Sequence, residues 1–466
     1  MRIHEDDCNL SALAGHRLKN DERGDRTRSQ PRIRGRANGP HEVETVTAFS
    51  AILLVLTLRL FPRMPIGRFA VSVALGAALA CSAASQKAYD NGASDTQIKI
   101  GNVSPYSGAA KEYAAVARAE GGYFAMINDG GGINGRKIVF LTEDSASTPG
   151  KSAELTKKLV EQDGVLLMFS SFGTEPNLEM RGYLNEQKVP QLFVQSSAAA
   201  FDDPQHFPWT MGFFATFHME GAVYAKWILQ NKPQGKIALL YADDDTGREY
   251  REGIYDGLGD KAASMIVKEV TYADGDTSLE AQIAELKKSG ADVFLNMSVG
   301  RRATEAIRAA NAMDWRPVQI IPNASLSITA FLDPAGLAAA KGILCNARSK
   351  GWWRPEAVDD PAVREFLLWM KRYDREAKPR DQLTVAGYER AQVLVEVLRK
   401  CGDNLTRGNV MKQAASLDLS LGMLRPGIRV KTSASDYQPI KDLFLIQFDG
   451  EDWKAIGPTV KEQPSN

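Results

Sequence analysis

Cysteine is scarce in this chain of 466 residues, which holds only four. Cys8 and Cys81 lie near the front, and Cys345 and Cys401 lie far apart in the remainder. No Cys-x-x-Cys pair occurs, so the sequence offers neither a zinc-finger pattern nor a redox dithiol. We therefore predict buried, unpaired thiols at Cys345 and Cys401 and no metal site.

The chain also lacks the short motifs of the common enzyme classes. It has five histidines, of which only His206 and His218 lie in the main part of the chain. Gly-x-Ser-x-Gly, His-Glu-x-x-His and a Walker phosphate loop are all absent. These absences predict a protein that is not an enzyme and that uses no cofactor. An enzyme of unknown reaction is the weaker alternative.

An excess of charge of one sign is missing too, since 57 Lys and Arg balance 57 Asp and Glu. A nucleic-acid-binding protein needs a clustered basic face, so we expect no nucleic-acid partner. Apolar residues make up 44% of the chain, which is ordinary for a globular protein and is enough for a folded core.

The apolar run near the front is too short for a comfortable membrane span. Residues 69–80 (FAVSVALGAALA) follow a basic residue and precede small residues. This pattern predicts an export signal peptide over residues 64–85 and a periplasmic protein. Residues 1–63 are then predicted to be a non-native N-terminal extension, with a membrane anchor as the alternative. A lipid anchor at Cys81 is a further, less favoured alternative.

A strand, a helix and a parallel strand are predicted as the first folded unit, at residues 98–103, 110–128 and 136–141. The glycines at 130–132 follow the helix. A phosphate loop needs its glycines before a helix, so these glycines predict helix termination rather than a nucleotide site. The loop at residues 104–108 lies at a strand end before the helix, and we expect it to reach a ligand.

Strand and helix patterns alternate along most of the chain after this unit. Apolar strands at 165–169 and 191–194 each end in a serine-rich loop, an aromatic stretch at 205–220 is interpreted as a crossing segment, and a second series starts near residue 236. We predict an α/β protein with two doubly wound, Rossmann-like lobes joined by a hinge, and a ligand in the cleft. The predicted lobes are residues 95–215 and 351–425 for lobe 1, and residues 216–350 and 426–460 for lobe 2.

Five stretches carry a resemblance to a known family: residues 101–108, INDGGGINGRKIVFLTED (127–144), KLVEQDG (158–164), DDDTG (243–247) and residues 276–289. They are similar to segments of the periplasmic solute-binding proteins of the branched-chain amino acid type. The resemblance implies the type I periplasmic binding fold, a two-lobed clamshell. It also implies a protein that captures a small amino acid or related carboxylate and delivers it to the membrane permease of an ABC importer. A ligand sensor with the same fold is the alternative.

In this family, serine hydroxyls and backbone N–H groups of two lobe-1 loops hold the ligand carboxylate. The resemblance transfers that role to Ser171 in the first loop and to Ser197, Ala198 and Ala199 in the second. Unpaired N–H groups at helix starts favour an anion there. The alternative is that the serines only cap helices. Tyr113 matches an aromatic position at the mouth of the family's cleft, with a surface tyrosine as the alternative.

The second lobe departs from the amino-acid binders of the family. Ala324 stands where they carry the acid that holds the ligand ammonium, and Thr246 and Val299 stand where they carry tyrosines. Burying an ammonium without a carboxylate costs several kcal/mol, so an aromatic or aliphatic carboxylate is favoured over an α-amino acid. Arg301 is a candidate charge partner, with a solvated arginine as the alternative. The residues expected to line an apolar pocket are Phe213, Phe214 and Phe217.

Overall fold

The computed structural model describes residues 87–148, 150–273, 275–352 and 355–460. The predicted extension (1–63), the predicted signal peptide (64–85) and Cys81 lie outside the described residues. Within the described ranges, no helix combines the length and the apolar character that a membrane span requires.

Strands and helices alternate along the described chain, which confirms the predicted α/β class. The strands, β1 to β15, are Ala88–Tyr89, Gln97–Ser104, Lys137–Asp144, Leu167–Phe169, Gln191–Leu192, Ile237–Ala242, Ile266–Tyr272, Val293–Met297, Val318–Ile320, Leu344–Ala347, Asn404–Leu405, Asp418–Leu419, Val430–Lys431, Leu443–Phe448 and Trp453–Val460. The α-helices, α1 to α13, are Ala114–Asp129, Lys151–Glu161, Thr174–Glu186, Phe217–Asn231, Asp245–Leu258, Ala262–Met265, Glu280–Lys288, Arg301–Ala312, Asp333–Ala335, Leu337–Ala340, Pro361–Tyr373, Gln382–Cys401 and Arg407–Ala414.

The first sheet is parallel, in the order β3-β2-β4-β5, and forms the centre of lobe 1. Ile100 in β2 pairs with Phe140 on one side and with Leu167 on the other. All three residues of β4 are buried, as expected for a strand that is covered on both faces. Because the strands share one direction, the loops after them meet at one edge of the sheet.

The second sheet has the order β15-β14-β10-β9-β8-β6-β7 and forms the centre of lobe 2. Strands β6 to β10 are parallel, whereas β14 and β15 return antiparallel at one edge. All five residues of β8 are buried, so this strand is central. Two doubly wound sheets confirm the predicted fold class.

Lobe 1 is completed by helices α11 and α12, which follow strand β10 of lobe 2 in the sequence. Helix α12 packs so closely on α1 that a Cβ atom on Gly387 would lie 2.3 Å from the carbonyl oxygen of Val116. Helix α11 approaches α1 similarly, since a Cβ atom on Gly122 would lie 2.7 Å from the carbonyl oxygen of Tyr373. Strands β12 and β13 pair with each other. The boundary predicted between lobe 1 and lobe 2, after residue 425, lies in the segment that connects these two strands.

Helices α4 and α5 of lobe 2 also touch through glycines. A Cβ atom on Gly253 would lie 2.0 Å from the carbonyl oxygen of His218, and one on Gly221 would lie 2.6 Å from that of Tyr250. Only residues without a side chain allow backbones to approach so closely. The two helices therefore depend on glycine at these positions.

The prediction of a crossing segment over residues 205–220 is wrong at its end, because α4 begins at Phe217. The hydroxyl of Thr216 caps this helix by accepting the backbone N–H of Met219 at 3.1 Å. The aromatic residues that precede Phe217 hide the start of the helical period in the sequence.

The glycine turn and the thiols behave as predicted. Gly130 ends α1, and Gly131 and Gly132 follow with φ values of +103° and +81°, which confirms helix termination. Cys345 and Cys401 are free and buried.

Candidate functional site

A cavity of about 350 Å³ lies between the lobes, where the carboxyl ends of the parallel strands face each other. Lobe 1 contributes the loops after β4 and β5 and the first half of α12, and lobe 2 contributes the loops after β6, β8 and β9. Open α/β sheets bind ligands at this edge. We call this space the cleft cavity. The charged residues that line it are Glu175, Asp244, Arg302, Arg348 and Arg390.

Aromatic rings form much of the wall of the cleft cavity. Tyr113 stacks on Phe172 with ring centroids 4.8 Å apart. Phe214 and Phe217 also line the cavity, as expected from the sequence, whereas Phe213 is buried behind it. An apolar body with a flat face would fit against these rings.

Two buried arginines lie on the ring of Phe214. The guanidinium carbon of Arg348 lies 3.6 Å from the ring centroid and that of Arg390 lies 4.7 Å from it. Arg348 Nη1 donates to Asn323 Oδ1 at 3.0 Å, and Arg390 Nη1 donates to Ser170 Oγ at 3.1 Å. These contacts hold both guanidinium groups at one end of the cleft cavity.

The acidic neighbours of these arginines compensate their charge only in part. Arg348 Nε lies 3.7 Å from Glu389 Oε2, and Arg390 Nη1 lies 3.5 Å from Glu120 Oε1. Burial raises the pKa of both carboxyls, that of Glu120 to about 8, and lowers the pKa of Arg390 to about 10. Burial thus favours the neutral form of the Glu120 carboxyl, so this carboxyl offsets the charge of Arg390 less than an exposed carboxylate would.

Several guanidinium nitrogens have no hydrogen-bond partner in the described part of the chain. They are Nε of Arg348 and both Nε and Nη2 of Arg390, all of them buried. Leaving a buried donor unpaired costs about 1–3 kcal/mol, and the charge of Arg348 adds to burial in lowering the pKa of Arg390. A carboxylate at this end of the cavity would pair these donors and relieve the repulsion.

The acidic residues that line the cleft cavity are engaged within the protein. Asp244 caps α5 by accepting the backbone N–H of Gly247 at 2.8 Å, and Glu175 also has a partner. Among the described residues, no group of three or more His, Cys, Asp or Glu side chains is arranged to hold a metal ion. The chemistry that the cavity offers is therefore the binding of an anion with an apolar body.

Five of the residues proposed from the resemblance line the cleft cavity: Tyr113, Ser197, Thr246, Val299 and Ala324. Three of them also take part in hydrogen bonds between the lobes. The hydroxyl of Tyr113 donates to the carbonyl oxygen of Ala324 at 3.0 Å, and Thr246 Oγ1 lies 3.1 Å from Thr174 Oγ1. These hydrogen bonds close the cavity on two sides.

Three lobe-1 residues proposed as ligand contacts do not line the cleft cavity, and their groups are engaged elsewhere. The hydroxyl of Ser171 is buried and accepts the backbone N–H of Val103 at 3.3 Å. Ala198 belongs to an apolar core cluster. The backbone N–H of Ala199 is taken by the carboxylate of Glu249 at 3.0 Å. The protein itself therefore satisfies the groups that were expected to meet a ligand.

Arg301 and the loop at residues 104–108 also lie outside the lining of the cleft cavity. Arg301 forms an ion pair with Glu112 of the opposite lobe at 2.9 Å and does not line the cavity. The loop at residues 104–108 does not line it either, because Ser107 donates its hydroxyl to Asp144 at 2.6 Å. The ion pair is half-exposed, so it joins the lobes weakly.

Sequence reasoning missed Arg348 and Arg390, the most distinctive residues of the site. Arg390 lies in α12, where Glu389 and Arg390 are both fully buried within an otherwise apolar stretch. The adjacent opposite charges of Glu389 and Arg390 in this apolar helix were the available signal. Charged residues are rarely buried without a partner, so the pair indicated a buried charged site. Arg348 follows β10 and has no comparable signal in the sequence.

Comparison with known proteins assigns the sequence to a described group. A family model described as periplasmic binding protein matches residues 97–452. The chain is 24% identical over 323 residues to the Leu/Ile/Val-binding protein homolog 1 of Brucella abortus (strain 2308), covering 67% of this chain and 81% of that protein.

Solved structures show the same architecture. A branched-chain amino acid ABC transporter structure from Thermus thermophilus with bound valine is similar with a TM-score of 0.70 and 14% identity, covering 79% of this chain and 98% of that one. An ABC transporter solute-binding protein from R. palustris in complex with benzoate is similar with a TM-score of 0.65 and 20% identity, with the same coverage of 79% and 98%. At these identities the likeness concerns the fold.

Proposed function

We propose that this chain, which belongs to the periplasmic binding protein family and is of its branched-chain amino acid type, captures a small organic acid in the cleft cavity. It then delivers the acid to the membrane permease of an ABC importer. The observation that carries the proposal is the pair of buried arginines, Arg348 and Arg390, on the ring of Phe214. Family membership supports the importer as the partner and the periplasm as the location.

The ligand carboxylate is placed between the two arginines and its apolar body against the aromatic wall. Arg390 comes from lobe 1, and Arg348 directly follows strand β10 of lobe 2. A ligand that pairs with both therefore stabilises the closed arrangement of the lobes. Tyr113 and Ala324, which already meet across the cavity, lie on the closing surface.

An acid without an ammonium group fits this cleft better than an α-amino acid. The valine and the benzoate named for the two structural neighbours share a carboxylate and an apolar body, and they differ in the ammonium group. Here Ala324 offers no charge to an ammonium, and Asp244 caps a helix. An unpaired buried ammonium costs several kcal/mol, whereas a benzoate-like ligand has no such group to bury.

A thermal-shift panel tests the ligand class. At a hundredfold excess over its Kd, a ligand stabilises the folded protein by about 2.7 kcal/mol, which gives a clear rise in the unfolding temperature. Benzoate, phenylacetate and octanoate are expected to produce this rise, and leucine and valine are not. Stabilisation by leucine or valine with no response to the acids would disprove the proposed ligand class.

Replacing Tyr113 with phenylalanine is expected to weaken acid binding by up to about tenfold. The change removes the hydrogen bond from Tyr113 to Ala324, which joins the lobes and is worth about 0.5–1.5 kcal/mol. Calorimetric titration with benzoate measures the effect. Tyr183→Phe is the matched control, since its hydroxyl bonds to Glu161 within lobe 1. Equal affinities for both variants and the unchanged protein would remove this bond from the closing step.

A further inference from the structure

A second cavity, of about 490 Å³, lies beside the cleft cavity, and nothing above assigns it a role. Its apolar lining includes Trp352 from the lobe-1 side and Phe444 and Trp453 from lobe 2. It shares four wall residues with the cleft cavity, among them Arg348 and Asn323. We call it the hinge-side cavity because the chain passes along it when it leaves β10 of lobe 2 for the last helices of lobe 1.

A two-stranded ribbon brings a second arginine to this cavity. An antiparallel bridge pairs Ser349 with Leu424, and the backbone N–H of Arg425 donates to the carbonyl oxygen of Arg348 at 2.9 Å. This register sets Arg348 directly opposite Arg425. Side chains of directly opposed residues lie on the same face of such a ribbon, and like charges placed so destabilise it. Both arginines line the hinge-side cavity.

The described lining of this cavity carries an excess of positive charge. Its charged members are Arg348, Lys350, Arg425 and Asp360, and the only acid among them pairs with Lys350 at 2.6 Å. The guanidinium carbon of Arg425 lies 3.9 Å from the ring centroid of Phe444. Its Nη1 is buried and has no hydrogen-bond partner in the described chain. Arg425 thus lies on the ring of Phe444 in the same way as Arg348 and Arg390 lie on the ring of Phe214 in the cleft.

We propose that the hinge-side cavity is a second binding site for an organic anion, which is a molecule separate from the cleft ligand. Its carboxylate pairs with Arg425, and its apolar body lies among Trp352, Phe444 and Trp453. The anion would accept a hydrogen bond from Nη1 of Arg425 and would reduce the electrostatic repulsion between Arg348 and Arg425. Because both lobes line the cavity, occupancy also changes how easily the lobes part.

Tryptophan emission provides a probe of this site. Trp352 and Trp453 line the hinge-side cavity, whereas the described lining of the cleft cavity contains no tryptophan. Titration of the full-length protein with benzoate, and separately with octanoate, is expected to change the emission saturably. Arg425→Met is expected to raise the apparent Kd of this signal at least tenfold. Arg429→Met is the control, since Arg429 is exposed and pairs with Asp418.

Two comparisons distinguish this site from the cleft. Arg425→Met should keep the thermal stabilisation that acids produce through the cleft, and Arg390→Met should keep the tryptophan signal. Arg425→Lys retains the charge and is expected to restore part of the affinity, which separates charge from folding effects. A tryptophan signal that is absent, that survives in Arg425→Met, or that disappears in Arg390→Met overturns the inference. The first two results leave the proposed cleft site unaffected, whereas loss of the signal in Arg390→Met would assign the emission change to acid binding in the cleft.

Discussion

Replacing Arg390 with methionine is expected to weaken binding of a small organic acid by about 10- to 100-fold. Hydrogen bonds to a charged group contribute about 1.5–3 kcal/mol, and each 1.36 kcal/mol corresponds to a tenfold change in affinity. Arg390 lies at the buried end of the cleft with two unpartnered guanidinium nitrogens. In the described wall, Arg348 is the other cation on the ring of Phe214, and it is the group that could partly replace the charge of Arg390.

Calorimetric titration with benzoate measures this loss. Arg399→Met is the matched control, because Arg399 lies in the same helix but is exposed and pairs with Glu396. Arg390→Met also leaves Glu120 buried without its cation, so the double variant Glu120→Gln/Arg390→Met guards against a loss of folding. Unchanged affinity in a folded double variant would exclude Arg390 as the carboxylate partner.

Replacing Gly253 with alanine is expected to lower the free energy of unfolding by about 3 kcal/mol. The new Cβ atom would lie 2.0 Å from the carbonyl oxygen of His218, which is a backbone atom of α4 and has little freedom to move. Overpacking of this kind typically costs about 1–3 kcal/mol, and a clash with backbone falls at the upper end. The two helices would have to separate, because α5 presents this face directly to α4.

Urea unfolding measures the effect, and Gly182→Ala provides the opposite case. Gly182 lies in α3, and a Cβ atom added there would meet nothing within 4 Å. Alanine is the better helix former by about 0.5–1 kcal/mol, so this variant is expected to be slightly more stable. Equal effects of the two substitutions would mean that helix propensity, rather than close packing, determines the outcome at Gly253.

The fold was predictable because its strands carry a strong local signal. Strands β4 and β8 are apolar on both faces, and between them the chain alternates with amphipathic helices at short spacing. The start of helix α4 was missed because the aromatic run that includes Phe213 and Phe214 continues to Phe217, the first residue of the helix.

The cavity lining was predictable only where it follows from position after a strand end. Tyr113, Ser197 and Ala324 lie in the connections after strands β2, β5 and β9 and line the cleft cavity. Whether a loop's N–H groups remain available is decided by distant partners, as Glu249 shows by taking the N–H of Ala199. Arg348 and Arg390 meet on the ring of Phe214 because the chain returns from β10 of lobe 2 to α12 of lobe 1, and the sequence does not show that their side chains meet there.

That return has a consequence for how the protein is made. The helix that covers α1 is α12, and Tyr123 of the first meets Tyr388 of the second edge to face at 5.1 Å. A nascent chain that has not yet reached residue 382 lacks α12, although all four strands of the lobe-1 sheet have already been made. The packing of lobe 1 is therefore completed only late in synthesis. Until then, the apolar surface of α1 that α12 covers stays available to a chaperone or to a translocation channel.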